Sequence, residues 1–477
     1  MNSPSTHSTA SSLPAQRFDA QGRAQVDWRI VLALAGPLIA NSAIQAALNL
    51  TDTWFVGRIS TTALAGMGAI HWMTMVFIGL LGGVGMAVQT VVAQAFGARR
   101  YARAAQATWT ALWASLFTAP IFILLAVYAD GLLAPFGLSP EVEAMALQFW
   151  QPRMLCASLG VALWAILGFF NGIGRARVTL CINLFTLSIN AVLAQIFIVH
   201  FNWGMAGAAW ATNCASFIGV AISIFVFVRA KDLQRYRPRI TWHLHWHRLL
   251  DQFKLGLPMG VMMAADLFGL SLFQLMQAKL SAADGAASQV TMMLTSVAYM
   301  PAIGIALAGT TLVGQSIGAG DKQWARKLGN FIVFLAMGYM GSIGLMLGLL
   351  GPWLLPLFVN AHDALSPQVI HTGITVLWLA AAYQVFDGMT LGSSFCLRGA
   401  GDATVPAVLV LGMSWCLFVP LAHSLAFAPG QGWFNWLPQF GFGAVGAWSA
   451  AVIYVCLIGN TMFLRWRSKA WERIEVR

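Results

Sequence analysis

Long stretches without a single Lys, Arg, Asp or Glu run through this 477-residue chain, and they leave it few ways to fold. About 20 apolar residues cross a bilayer as a helix. Uninterrupted stretches lie at 30–51, 59–98, 104–129, 285–320 and 328–362. Three more carry one internal charge each: 144–174 with Arg153, 255–278 with Asp266, and 364–397 with Asp387. Two are of double length, 178–228 and 403–464, and break at turn-forming segments, 200–204 and 428–432. The spacing predicts twelve membrane-spanning helices, an all-α polytopic membrane protein. Strands of a membrane barrel would alternate and be about 10 residues long, which excludes that fold. With 58% hydrophobic and 9% charged residues, a soluble domain of this length is excluded too.

The basic residues set the orientation. With an even number of spans both termini lie on one side. That side collects all but three (Arg58, Arg153 and Lys279) of the 27 Lys and Arg. Basic loops stay inside, so both termini are expected in the cytoplasm and the chain in a plasma membrane, the inner membrane of a bacterium. The net charge of +11 then answers to topology and anionic lipids, and nucleic-acid binding need not be invoked. Residues 1–27, polar and without an apolar core, read as a disordered cytoplasmic tail. The remaining boundaries are a six-span lobe at 28–228, a basic cytoplasmic linker at 229–250, a second six-span lobe at 251–466 and a C-terminal tail at 467–477. The six cysteines all fall in apolar segments without metal spacing, so neither a disulfide nor a metal cluster is expected. His243, His245 and His247 read as interfacial anchors beside Trp242 and Trp246.

The two lobes repeat each other. Residues 92–98 (VAQAFGA) recur as 313–319 (VGQSIGA), displaced by 221; Gly36-Pro37 matches Leu257-Pro258 at the same displacement. Residues 171–178 match 398–405 at 227, and 204–207 match 443–446 at 239. An ordered series of matches is harder to obtain by chance than any one of them. Repeats of six spans keep the same membrane orientation, so two parallel bundles enclose a cleft that rocking opens alternately to each side.

Asp52, Asp266 and Asp387 sit inside those apolar runs. A carboxylate in hydrocarbon costs roughly 2.5–3.5 kcal/mol, and such residues mark ion, proton or substrate paths. Counted from Lys254, Asp266 lies roughly 18 Å deep; counted back from Arg398, Asp387 lies roughly 16 Å deep. Two helices of opposite direction thus bring their acids to similar levels, where they can share one cation. Tyr383 stands one turn from Asp387 on the same helical face. Asp52, roughly 34 Å along the helix from Arg29, falls near the outer surface. His71 reads as a histidine satisfied by a neighbouring helix.

At this point the chain resembles the multidrug and toxic compound extrusion (MATE) family along nearly its whole length. The resemblance rests on 34–38 (LAGPL), 52–57 (DTWFVG), the paired Gln-x-x-Gly-Ala signatures and 397–402 (LRGAGD). Within the family it is closest to the NorM-type branch: 383–387 (YQVFD) resembles that branch's Tyr-x-x-x-Asp, and Asp266 falls where the branch usually carries Glu. Another branch places an Asp four residues after an Asn in helix five; here Asn190 is followed at that offset by Ala194. The resemblance implies a cation-coupling set of Asp266, Asp387 and Tyr383, with Asp52 lining the first lobe's cavity. It also places Gln289, Asp52, Asp387 and Phe386 with the substrate. Hard cations take oxygen ligands, which these side chains supply, so Na⁺ suits the site; a proton does as well.

The expectation is therefore a secondary antiporter, functional as a monomer, that exports cationic amphiphilic compounds in exchange for inward Na⁺ or H⁺. No cofactor is expected, nor any metal beyond a Na⁺ at Asp266 and Asp387. A flippase for a lipid-linked or other amphiphilic metabolite is the alternative; it would want a basic cleft, and intramembrane cations are nearly absent. An enzyme would need a nucleophile–base pair or metal ligands at membrane depth, and neither is found.

Overall fold

In a computed structural model, residues 13–57, 61–133, 140–358 and 366–474 are described, with the side chains of 46–57, 61–72, 133, 142, 278 and 282 excepted. The first lobe holds α1 (Trp28–Gly57), α2 (Thr61–Gly97), α3 (Tyr101–Val127), the short α4 (Ala129–Leu133), α5 (Pro140–Leu155), α6 (Ala157–Gly172), α7 (Ala176–Ala194) and α8 (Gly204–Arg229). The second holds α9 (Trp246–Leu280), α10 (Ala282–Gly318), α11 (Lys322–Leu354), α12 (Ser366–Ala400), α13 (Thr404–Met413), α14 (Val419–Ala426) and α15 (Gly443–Arg467). Among the described residues ten helical segments are long and apolar enough to cross a membrane. An eleventh span is α5 with α6, bent by 48° just after Pro152. The 30-residue α1 stands ahead of these. The fold is thus helical and multi-pass, as expected.

The fifth span of each lobe carries a π-helical turn, at 195–200 after α7 and at 414–418 between α13 and α14. Such turns widen a helix locally and recur at functional sites.

Residues 13–27, which composition assigns to a disordered tail, instead form a small antiparallel hairpin of β1 (Gln16–Phe18) and β2 (Ala24–Val26). Its turn is tied by the Asp19 carboxylate, which accepts from the backbone of Gln21 and Arg23. The Trp324 indole donates to the Pro14 carbonyl at 2.9 Å, and Ala15 is buried against α11. Strands of three residues are too short to leave a sequence pattern, and tertiary contacts hold them. The C-terminal segment docks similarly, with Trp471 stacked on Trp466 at 4.7 Å, and Lys322 donating to the Glu472 carbonyl. Both terminal segments therefore meet at the N-terminal end of α11, on what we call the basic end of the bundle.

The repeat is realised as contacts between the lobes. At the basic end, Gln94 of α2 donates to the Gly399 carbonyl at 2.9 Å, and its counterpart Gln315 of α10 donates to the Gly172 carbonyl at 2.9 Å. Thr90 donates to the Arg398 carbonyl and its counterpart Thr311 to the Asn171 carbonyl, at 2.9 and 3.0 Å. Each donor differs from its mate by 221 residues and each acceptor by 227, the displacements read from sequence. A pseudo-twofold axis thus runs through a four-bond latch. It closes only because α2 and α10 nearly touch: a Cβ on Gly97 would lie 1.9 Å from the Gln315 carbonyl oxygen, and one on Gly318 the same distance from that of Gln94. Ion pairs repeat the symmetry with reversed polarity, Arg175–Asp232 in the first lobe and Asp402–Arg465 in the second.

Overpacking a tight contact typically costs about 1–3 kcal/mol, whereas Ala is favoured over Gly by about 1 kcal/mol in an unobstructed helix. Gly97→Ala and Gly318→Ala should lower the melting temperature of the purified protein. Gly338→Ala should leave it unchanged or raise it, since a Cβ there meets nothing within 4 Å. Scanning fluorimetry on the three variants checks this; equal behaviour would mean the lobes do not meet at these glycines.

Candidate ion and substrate site

Asp266 on α9 and Asp387 on α12 come within electrostatic reach of each other, as their matched depths require. Asp266 is exposed and Asp387 half-buried. Among the described residues neither carboxylate has a hydrogen bond or an ion pair with protein. Charged groups at membrane depth without partners are costly and persist where they serve an ion or a substrate.

Three tyrosines lie within electrostatic reach of the pair. Tyr383 stands one turn from Asp387, lies near Thr295 of α10 and stacks on Trp448, with ring centres 6.2 Å apart. Trp448 is itself fixed by donating to the Ser288 hydroxyl at 3.0 Å. Tyr299 of α10 and Tyr454 of α15 each lie within electrostatic reach of both carboxylates. The Tyr454 hydroxyl is 2.8 Å from that of Ser414, the first residue of the π turn. Sequence reasoning missed Tyr299 and Tyr454. Their scarcity was the available signal: the chain has only seven tyrosines, and three of them converge here.

One and two turns along α9 from Asp266, toward the basic end, Met263 and Met259 open onto a cavity of about 320 Å³ between the lobes. Its first-lobe lining mixes amides (Asn41, Gln45, Asn171, Asn183) with apolar side chains (Met86, Leu163, Trp164, Leu167), and its second-lobe lining is apolar (Met263, Met300, Phe395) apart from Thr310 and Arg398. Gln89 and the latch residue Thr90 also line it, Gln89 making two further bonds between the lobes by donating to the Leu307 carbonyl and the Thr311 hydroxyl at 3.0 and 2.9 Å. Of the residues anticipated for substrate, Gln289 is exposed on α10, Phe386 and Asp387 are half-buried on α12, and none of the three lines this cavity. Asp52 belongs to α1 and His71 to α2, but their side chains lie outside the described residues. Ala194, where another branch's acid would fall, is buried against the first lobe's core.

Two parallel helical lobes, a cavity between them and unpartnered acids beside it are the architecture of a membrane transporter. The comparison with known families makes the class specific. The MatE family model matches twice, at residues 37–196 and 258–423, once in each lobe, and the chain belongs to that family of membrane transporters. It is similar to the probable multidrug resistance protein NorM of Rhizobium meliloti (strain 1021), 28% identical over 463 residues and 92% of each chain. It also resembles the probable multidrug resistance protein NorM of Pseudomonas syringae pv. tomato (strain ATCC BAA-871 / DC3000), 29% identical over 413 residues, 83% of this chain and 88% of that one. Among solved structures, a MATE in complex with MaL6 superposes with a TM-score of 0.81 at 19% identity, covering 93% of this chain and 97% of that one. A MOP-superfamily transporter from Pyrococcus furiosus, reported with a binding pocket of reverse polarity, superposes with a TM-score of 0.78 at 18% identity, covering 93% and 96%. At these identities the structures share the fold.

Unpartnered carboxylates work against folding. Asp266→Asn and Asp387→Asn should therefore leave the melting temperature at pH 8 equal to or above that of the parent chain, by the usual trade of stability against function. A fall of several degrees in either variant would mean that the carboxylate has a structural partner.

Proposed function

We propose that this chain is a secondary antiporter that exports cationic amphiphilic compounds in exchange for inward Na⁺ or H⁺. The observation that carries the reading is the pair Asp266 and Asp387, unpartnered, within electrostatic reach of Tyr299, Tyr383 and Tyr454, and one helical turn from a cavity walled by both lobes. The names borne by the relatives, multidrug resistance proteins, favour drug-like small molecules as cargo.

The mechanism follows from competition for charge. With the carboxylates ionised, the cleft attracts an organic cation and its aromatic and methionine wall takes the apolar body. A Na⁺ or proton arriving at the same oxygens discharges the pair and releases the cargo. The phenol hydroxyls and carboxylates are hard oxygen ligands and serve either ion. By the distribution of Lys and Arg the basic end faces the cytoplasm, both termini included. A closed latch at that end then corresponds to a cleft cut off from the cytoplasm, and the return stroke must break its four hydrogen bonds. Each chain carries both lobes, so a monomer suffices. Asp52, Gln289 and Phe386 belong in this reading as further contacts for the cargo on its way out.

Purified protein in liposomes, loaded with a fluorescent organic cation and given pH and Na⁺ gradients separately, tests the proposal. One of the two gradients should drive dye against its own concentration gradient. Asp387→Asn and Asp266→Asn should each reduce coupled flux by tenfold or more, and the double variant should be little worse than either single, because groups that act as one unit are not additive. Undiminished flux in Asp387→Asn would overturn the assignment, and strictly additive losses would mean two separate sites.

A further inference from the structure

Arg398 is one of the basic residues at the inner end of α12, and by position it reads as a topological charge. The fold turns it elsewhere. It is 91% buried, 9% of its surface remaining accessible, and it lines the interlobe cavity. Its Nε has no hydrogen-bond partner, and no carboxylate lies within ion-pair distance among the described residues. Asp402, four residues on, is engaged by Arg465 at 2.8 Å. The guanidinium lies over Phe395, whose ring centre is 4.4 Å from the guanidinium carbon. That contact uses no N–H donor.

The internal repeat shows that the latch does not require this charge. The mate of Arg398 is Asn171, and both contribute their main-chain carbonyls to the latch. The Asn171 side chain is settled within its own lobe, accepting from the Thr179 hydroxyl at 2.7 Å. At the position matching Thr179 the second lobe has Pro406, which offers no such partner. The guanidinium is thus surplus to the architecture and faces the cavity. Asn41, Gln45 and Asn183 of the first lobe line the same cavity, Asn183 donating to the Asn41 side-chain oxygen. Asp266 and Arg398 are within electrostatic reach but do not pair, so one cleft has an acidic end and a basic end.

We propose that Arg398 and the amides of this cavity form a carboxylate subsite, and that the preferred cargo is a zwitterionic amphiphile. Its amine is held toward Asp266 and Asp387 and its carboxylate sits on the Arg398 fork. A planar guanidinium matches a carboxylate bidentately, and burial makes such a pair selective, since a neutral ester leaves the donors unsatisfied. This inference rests on the antiport reading but can fail independently of it.

Rhodamine 110, which carries a free carboxylate, and rhodamine 123, its methyl ester, share one cationic ring system and form a matched pair of probes. Binding of each to the purified full-length protein is measured by fluorescence anisotropy. The parent chain should prefer rhodamine 110, and Arg398→Gln should weaken that dye about tenfold or more while holding rhodamine 123 within about twofold. Retained rhodamine 123 binding also shows the variant folded. Should Arg398→Gln bind neither dye, Arg398→Lys replaces it and must keep rhodamine 123 while weakening rhodamine 110. Equal effects on both dyes, or none on either, overturn the subsite and leave the antiport reading intact. Failure of the parent chain to bind either dye overturns both.

Discussion

The lobes close where helices meet at glycine, α2 on α9 at Gly83, Gly256 and Gly260 and α2 on α10 at Gly97 and Gly318, and the latch depends on the second of these meetings. Gly97 and Gly318 let backbone approach backbone, and only at that distance can Gln94 and Gln315 reach the opposite lobe's carbonyls. Both partners in each bond are side chain and main chain, so the latch needs no particular residue on its acceptor side. An intramolecular hydrogen bond is worth about 0.5–1.5 kcal/mol net. Four of them therefore hold the closed state by a margin that ligand binding can overcome, which a transporter's working equilibrium requires.

Against that symmetric frame, the functional groups are asymmetric. The second lobe has two unpartnered aspartates and three tyrosines at mid-depth, while the described part of the first lobe presents amides: Asn41, Gln45, Asn183. Duplication supplied the scaffold and the hinge surfaces. The acids and tyrosines stand in one copy, where Tyr454 bonds Ser414 of a π turn within electrostatic reach of the acids and Trp448 stacks on Tyr383. The lone cation of the cavity wall, Arg398, departs from its repeat mate in the same way.

Much of this was legible in the sequence, for identifiable reasons. Spans were readable because a bilayer demands length and apolarity, quantities that composition records directly. The meeting of Asp266 with Asp387 was readable because both could be counted from basic residues at a fixed rise per residue. The latch was half legible: its glutamines and glycines recurred at constant displacement, but that they bond to one another required the lobes to be docked. The hairpin of 13–27 was hidden because three-residue strands have no periodicity. Tyr299, Tyr454 and the inward direction of Arg398 depend on helix rotation and on a π turn, neither of which a hydropathy pattern encodes.

The central claim is that occupancy of the Asp266–Asp387 pair governs the opening of a latch at the other end of the cleft. Spin labels at Arg100 and Gln323, exposed positions on the two lobes beside the latch, report that opening as a distance by pulsed electron paramagnetic resonance. The account predicts two distance populations whose ratio shifts with pH or Na⁺ in the parent chain and is fixed in Asp266→Asn and Asp387→Asn. A single distance indifferent to both ions, or an undiminished shift in both variants, would contradict it.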